Sequence, residues 1–437
     1  LFNRNEKKSK STKPLKDLVP VIPVERLLDD KKRQPLLQQI NTTIGLDASG
    51  FHKFALPVIH NMARHCQQLP ETSLYYSHAG GFIDRALNRT EAALHLVRHI
   101  LVLEQHEKPS EEQKIWLYAL FSAAMLKNVG ALYTDYNVDL FDTNGQLIKR
   151  WQPLLEDLSS TNKYYDYHFL RGDDIVFRNR ITLLIARQIM PNTGFTWLTS
   201  NPDVFAVWLA LLQEDRDSAG PLAAIFDRAD AIAMQRDIND YLTKNAAWIE
   251  GAGNRMSTFT DTTPMNDVDK ERLMGAEFIA WLTQNLEQGN IIINKVPMLM
   301  EVLPTGIVMS PQLFDMFAQE HRKFKNKAAV QQAFLAWNMH LLTDAAKDSL
   351  SSGKSQQAVD SIPINTAILP EKVKIYQAKT GKITTTSSVD LIHNMQSYSQ
   401  ANPADLESKL SHLSAAGKWV THEEVSVQPH YGRTQRA

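Results

Sequence analysis

The stretch Tyr75-Tyr76-Ser77-His78-Ala79-Gly80-Gly81 sets two phenols, a hydroxyl and an imidazole just before a glycine pair. Glycine lets backbone approach a ligand closely, so His78 stands where a proton donor or acceptor would meet a substrate. Tyr75 and Tyr76 could supply a phenolic nucleophile; aromatic packing beside a turn is the competing explanation for the pair. Fourteen histidines raise the question of a metal. His95 and His99 lie four apart on one predicted helix face, but no Glu follows His95 in HExxH order and no third ligand is near. His52, His60 and His65 share a segment where packing or surface roles explain them equally well. Asp173, Asp174, Asp227, Asp230, Asp237 and Asp240 could hold a divalent cation. For Asp230 and Asp237 the solvated face of a helix is the simpler reading.

One basic cluster completes the reactive groups. His321, Arg322, Lys323, Phe324, Lys325, Asn326 and Lys327 end a predicted helix. Cations are favoured at a helix C-terminus by the dipole, which accounts for them without a ligand. The functional reading is DNA binding, with Arg322, Lys323, Lys325 and Lys327 on phosphates and Phe324 stacked on a base or packed in the core. Missing motifs narrow the field. GxxxxGK followed by Ser or Thr occurs nowhere, so a phosphate-cradling loop and a motor ATPase have no support. GxGxxG and GxSxG are absent too.

These groups need a scaffold, and 437 residues exceed what a single core holds, so two or three domains are expected. Forty-seven basic against 48 acidic residues leave a net charge of −1, which excludes a tail-driven polyanion binder but not a local basic patch. The lone Cys66 excludes internal disulfides and Cys-rich zinc sites and points to a reducing compartment. The longest apolar run, Val204 to Leu212, is too short to cross a bilayer, so no membrane insertion is expected. Residues 1–16 carry six Lys or Arg against Glu6, with neither an apolar signal core nor an initiating Met. They read as a basic, disordered leader of a cytoplasmic chain trimmed at its start.

Segment 51–69 predicts a helix that Pro57 must start late or kink. Thr90 is expected to cap the next helix, and Ser110 with Gln113 forms a capping box opening a helix through Leu126. Residues 142–146 predict a turn, with further helices near 177–189, 203–212 and from 222 through Tyr241. Turn formers at 251–268 mark a linker. Beyond it come a helix over 272–287, a hairpin around Pro304-Thr305-Gly306, a helix over 311–324 entered through Ser310-Pro311, and a last helix over 328–345. The fold class is therefore mainly α: a helical domain over 17–250, the linker, a small winged-helix-like α/β domain over 269–347, and a loosely ordered extension over 348–437.

The order of VPVIPVERLL, YYSHAGGFIDRAL, SAAMLKNVGALYTD, NTGFTWLTSNPDVFAVWL, AGPLAAIFDRADAIAMQRD and GNIIINKV…EVLPTGIVMSPQLF resembles the MobH-type, or TraI-type, conjugative relaxases. These DNA-processing proteins belong to integrative conjugative elements and large plasmids, and have also been described as helicases. The resemblance covers roughly residues 18–345. It implies an HD-like helical domain, a role in conjugative DNA transfer, DNA as partner and other transfer or secretion proteins as neighbours. The family's chemistry is attributed to a triple histidine before a glycine pair and to a metal-binding H…HD…D pattern.

Here the resemblance departs from the family. At most one of the three histidines survives, as His78; Arg85 stands where an HD histidine is expected, and Lys127-Asn128 stands in place of the His-Asp pair. Only Asp230 occupies the position of the terminal HD aspartate. Two fixed positive charges would oppose a bound cation, so the expectation is no cofactor, or a divalent metal only where the HD site survives. Three readings follow. The first is a catalytically degenerate, DNA-binding scaffold, with Arg85 and Lys127 even forming an anion pocket. The second is an active nickase using His78 with Asp230 and Tyr75 or Tyr76. The third is a protein-interaction adaptor.

Overall fold

The computed structural model describes residues 12–100, 109–159, 163–170, 174–245, 267–303, 306–321, 324, 326–337, 339, 362–378 and 380–399. The chain divides into two units, Leu1–Ala233 and Met234–Ala437.

In the first unit, α1 spans Arg33–Thr43 and α2 spans Leu56–Cys66. A π-helical turn, Phe51–Ala55, precedes α2, and Pro57 sits in its first turn, where a missing N–H leaves no hydrogen bond unmade. Helical chain already runs from Ala48 through this turn into α2, so the proline is accommodated by an irregular turn within the helix rather than by a late start. Helix α3 covers Gly81–Ile100. Thr90 does not cap it: the residue is fully buried mid-helix, and its hydroxyl donates to the Ala86 carbonyl at 2.7 Å. A threonine can satisfy itself on the carbonyl four residues back, so its presence alone does not mark a helix start.

Helix α4, Glu111–Leu126, opens on the expected capping box, with Ser110 and Gln113 exchanging hydrogen bonds. Leu117 to Leu126 are all buried, so this helix runs through the core rather than along its surface. The stretch Glu111–Thr134 is long and apolar enough to cross a membrane by composition, but 83% of its apolar window is buried within the protein. Helices α5 (Ile175–Ile189), α6 (Asn192–Thr199), α7 (Pro202–Leu212) and α8 (Pro221–Lys244) follow. Strands β1 (Val19–Pro20), β2 (Tyr136–Phe141), β3 (Leu147–Arg150) and β4 (Tyr164–Phe169) form an antiparallel sheet in the order β1-β4-β2-β3. The predicted turn at 142–146 joins β2 to β3, with the Asp142 carboxylate accepting from Asn144 and Gln146 N–H.

In the second unit, α9 (Asp267–Gln288) packs against α10 (Gln312–Glu320) and α11 (Lys327–Ala336), and β5 (Met300–Leu303) pairs with β6 (Gly306–Met309) as a hairpin. Phe278 is the hub of this core, with Phe314, Phe317 and Phe334 at ring-centroid distances of 4.7–5.4 Å. The helix expected over 311–324 begins at Gln312 and ends at Glu320, and the Ser310 hydroxyl accepts from Gln312 N–H at 3.3 Å. The predicted linker falls largely outside the described residues, as do 340–345 of the last predicted helix. Within the stretch read as an extension, β7 (Ile362–Ile364) adds a third strand beside β6, and β8 (Lys372–Gln377) pairs with β9 (Lys382–Ser387). The result is a mainly helical domain followed by a small α/β domain.

Candidate functional site

The glycine pair matters because backbone presses on the start of α3. A Cβ at Gly81 would lie 1.7 Å from the Tyr76 carbonyl oxygen, and one at Gly80 would lie 2.3 Å from Arg33 Nη2. Gly80 also has φ of +78°, a left-handed conformation that costs glycine little. Glu71 N–H donates to the Tyr76 carbonyl at 2.9 Å and closes the loop between α2 and α3. That loop delivers Glu71 and His78, while the first three turns of α3 deliver Asp84, Arg85 and Arg89.

Asp230, on α8, is the centre of a buried charge cluster. Its Oδ2 accepts from Arg85 Nη2 at 2.9 Å, and its Oδ1 from Arg89 Nη1 at 3.0 Å. Lys127 Nζ lies 3.6 Å from Asp230 Oδ2 and 3.3 Å from Glu214 Oε1. Arg85 turns its other amino group to Glu71 Oε1 at 3.0 Å, and Asn128 donates to the same oxygen at 3.1 Å. Arg89 also donates from Nε to the Ala124 carbonyl at 2.7 Å and from Nη2 to the Lys127 carbonyl at 3.1 Å. It thereby satisfies carbonyls at the end of α4 that have no partner within the helix. One guanidinium thus ties α3 to α4 and α8.

The electrostatics follow from this crowding. Burial pushes the Asp230 carboxyl up, but Arg85, Lys127 and Arg89 outweigh it and hold the group well below the usual carboxylate range. Burial pulls Lys127 down, and Asp230 with Glu214 more than offsets it, so the ammonium is raised. Glu71 goes the other way: burial dominates and raises its carboxyl despite Arg85 and Arg89. Arg85 and Lys127 therefore face carboxylates, and the open anion pocket expected from them does not form.

His78 is not brought to Asp230. Its Nε2 lies 2.8 Å from Asp84 Oδ2, and Arg33 grips the same carboxylate through Nε at 2.6 Å and Nη2 at 3.2 Å. Burial raises the Asp84 carboxyl, and the hydrogen bonds from His78 and Arg33 reverse that and lower it. The arrangement is a buried Arg33–Asp84 pair holding a half-exposed imidazole. Tyr75 and Tyr76 are 4% and 3% exposed. The Tyr76 hydroxyl donates to the Ala233 carbonyl at 2.7 Å, and the Tyr75 ring lies under the Arg85 guanidinium at 4.9 Å. Both phenols are packed inward.

Of the predicted DNA-binding residues, Arg322, Lys323 and Lys325 lie outside the described residues. Phe324 stacks on Phe317 at 5.7 Å, and Lys327 Nζ pairs with Asp315 at 3.1 Å. Sequence reasoning missed Glu71, Arg89, Glu214, Asp84 and Arg33. One signal was available: Arg85 and Arg89 lie four apart on an otherwise apolar helix face, so both needed partners from elsewhere. Among the described residues, no group of three or more His, Cys, Asp or Glu side chains is placed to hold a metal ion.

Comparison with known families is consistent across both units. A family model described as "Putative helicase" (TraI_2) matches residues 20–252, and one described as "Putative conjugal transfer nickase/helicase TraI C-term" (TraI_2_C) matches residues 273–351. No curated protein matches the chain.

Proposed function

The chain belongs to the TraI-type conjugative relaxase-like family, and from that premise we propose that it serves conjugative DNA transfer as a DNA-binding component whose HD-type metal site has become an internal salt-bridge cluster. The observation that carries this reading is the grip of Arg85, Arg89 and Lys127 on Asp230. A divalent cation, which the HD pattern implies, does not fit here. Both oxygens of the one retained aspartate are already engaged by fixed cations, and neither Arg85 nor Lys127 offers a donor atom to a metal. An ammonium and two guanidiniums supply the positive charge that a metal would bring, and they also tie together α3, α4 and α8.

In this reading DNA is held rather than cut at Asp230. The absent phosphate-cradling loop likewise supports a non-motor role. The test is incubation of supercoiled DNA carrying a transfer origin with the purified chain in Mg²⁺ or Mn²⁺. The expected result is a retarded complex with no nicked product and no stoichiometric bound metal by mass spectrometry. Metal-dependent nicking would contradict it.

One observation favours a second reading, a metal-independent nickase. The Arg33–Asp84 pair fixes the imidazole of His78 at the surface, an arrangement suited to moving a proton. On this reading His78→Ala would abolish nicking seen in chelator while leaving DNA affinity within about twofold, since general acid–base catalysis acts on rate rather than binding.

A further inference from the structure

Residues 372–387 contain four lysines (372, 374, 379 and 382), five Ser or Thr, and no Asp or Glu, in a chain whose net charge is −1. Lys379 lies outside the described residues; the rest form the β8–β9 hairpin. Alternation along β8 sorts the side chains. Val373 and Ile375 are 1% exposed and turn into the core of the second unit, so Lys372, Lys374 and Tyr376 take the opposite face. Across the ladder they stand beside Ser387, Thr385 and Ile383, and Ile383 is 46% exposed. Lys374 reaches back to the end of α9, donating to the Gln288 carbonyl, while Lys372 and Lys382 are exposed.

A second element joins this face. Ile293 pairs in parallel with Ile375, taking a hydrogen bond from Tyr376 N–H at 2.9 Å, so the chain leaves the sheet at the Tyr376 end of β8. Asn294 then turns it at φ of +62°, accepting from Val302 N–H and donating to the Tyr398 carbonyl, each at 2.8 Å. The buried asparagine fixes a tip, Lys295-Val296-Pro297-Met298, that is exposed throughout, with Val296 at 81%.

We propose that the β8–β9 hairpin, with the Lys295–Met298 tip, is a DNA-contacting ribbon of the second unit. A run of lysines without an acid on the ribbon complements a phosphodiester backbone, and Ser and Thr hydroxyls donate to phosphate oxygens. The exposed apolar tip, with the half-buried Tyr376 beside Ile383, supplies surface for bases or sugars, as apolar wedges do where strands are opened. Glu371, just outside the ribbon, is the nearest acid in sequence. Residues 372–387 lie beyond both matched family regions, whereas the Lys295–Met298 tip lies within the second.

This inference rests on the DNA-binding reading, and the experiment separates the two. Affinity for a labelled single strand and for the matching duplex is measured across a salt series in chelator. The chains compared are wild type, Lys295→Gln/Lys372→Gln/Lys382→Gln, and the control Lys149→Gln. The triple variant is expected to bind about tenfold or more weakly, with the log–log salt slope reduced by about 0.9 for each phosphate no longer neutralised. The control, whose exposed lysine is paired with Glu156, is expected to stay within about twofold, as a surface ion pair would. The arm that loses affinity tells whether strand or duplex is the target. Wild-type binding with an unaffected triple variant overturns the hairpin and leaves the DNA reading intact. No wild-type binding to either DNA overturns both. An acidic protein captured by wild type and lost by the triple variant, with DNA affinity unchanged, also overturns it.

Discussion

The charge cluster of the first unit and the hairpin of the second use the same residue types to opposite ends. Around Asp230, three cations are matched by Glu71, Asp230 and Glu214, all within the fold. On the hairpin, Lys372 and Lys382 stand exposed in a ribbon with no acid of its own. A buried cation must have its partner supplied by the protein, because isolated charge is costly in a low-dielectric interior. An exposed one can wait for an external anion, because water solvates it meanwhile. Counting basic residues says nothing about which of these a site does; where the carboxylates lie decides it.

The sharpest way to break this contrast is to remove the central acid. Asp230→Ala leaves Arg85, Arg89 and Lys127 short of counter-charge, and urea unfolding should show a loss of about 4 kcal/mol, as expected when one partner of a buried ion-pair network is deleted. A loss under about 1 kcal/mol, the scale of a surface pair, would mean the cluster is open to solvent. Gly81→Ala probes the backbone that sets the cluster. Its new Cβ meets the Tyr76 carbonyl rather than a flexible side chain, so about 3 kcal/mol of destabilisation is expected by the same measurement.

A buried imidazole sharpens the comparison. His65 is 5% exposed and, among the described residues, its Nε2 has no hydrogen-bond partner; burial lowers its affinity for protons, with the Asn61 carbonyl and the Asp157 charge pulling the other way. Its folded value lies below the unfolded one, so the unfolded chain binds the proton first. Stability from this residue is complete above about pH 6.5 and falls as pH drops through that value. His65→Gln should flatten that part of the stability–pH curve. Asp230 and Asp84, held low by their cations, contribute above about pH 4 and lose that contribution only below it, so the two losses separate along the pH axis. The smallest effect belongs to the surface: Lys149→Ala, which breaks the pair with Glu156, should change stability by no more than about 0.5 kcal/mol in the same assay.

Local signals were legible where one stretch of chain decides the outcome. The capping box at Ser110 and Gln113, the irregular helical turn before Pro57 and the turn at 142–146 each depend on neighbours in sequence. Thr90 misled because a hydroxyl can bond within a helix as readily as it can start one. At the site, the replaced positions Arg85, Lys127 and Asn128 stood out through resemblance, and so did the retained Asp230. Their partners did not: Glu71, Arg89 and Glu214 come from three elements far apart in the chain and meet only in the fold. The hairpin was hidden for a different reason. Its Lys, Thr and Gly content is that of a loop, and the two-residue alternation of Val373 and Ile375 is too brief to stand out.

As proposed, interior charge is closed on itself while DNA is met by exposed cations without a metal. The most direct measurement is the affinity of the wild-type chain for DNA across a salt series, with chelator and with Mg²⁺. The account predicts binding that weakens steeply with salt and is the same in both conditions. Binding that vanishes in chelator and returns with Mg²⁺ would contradict it.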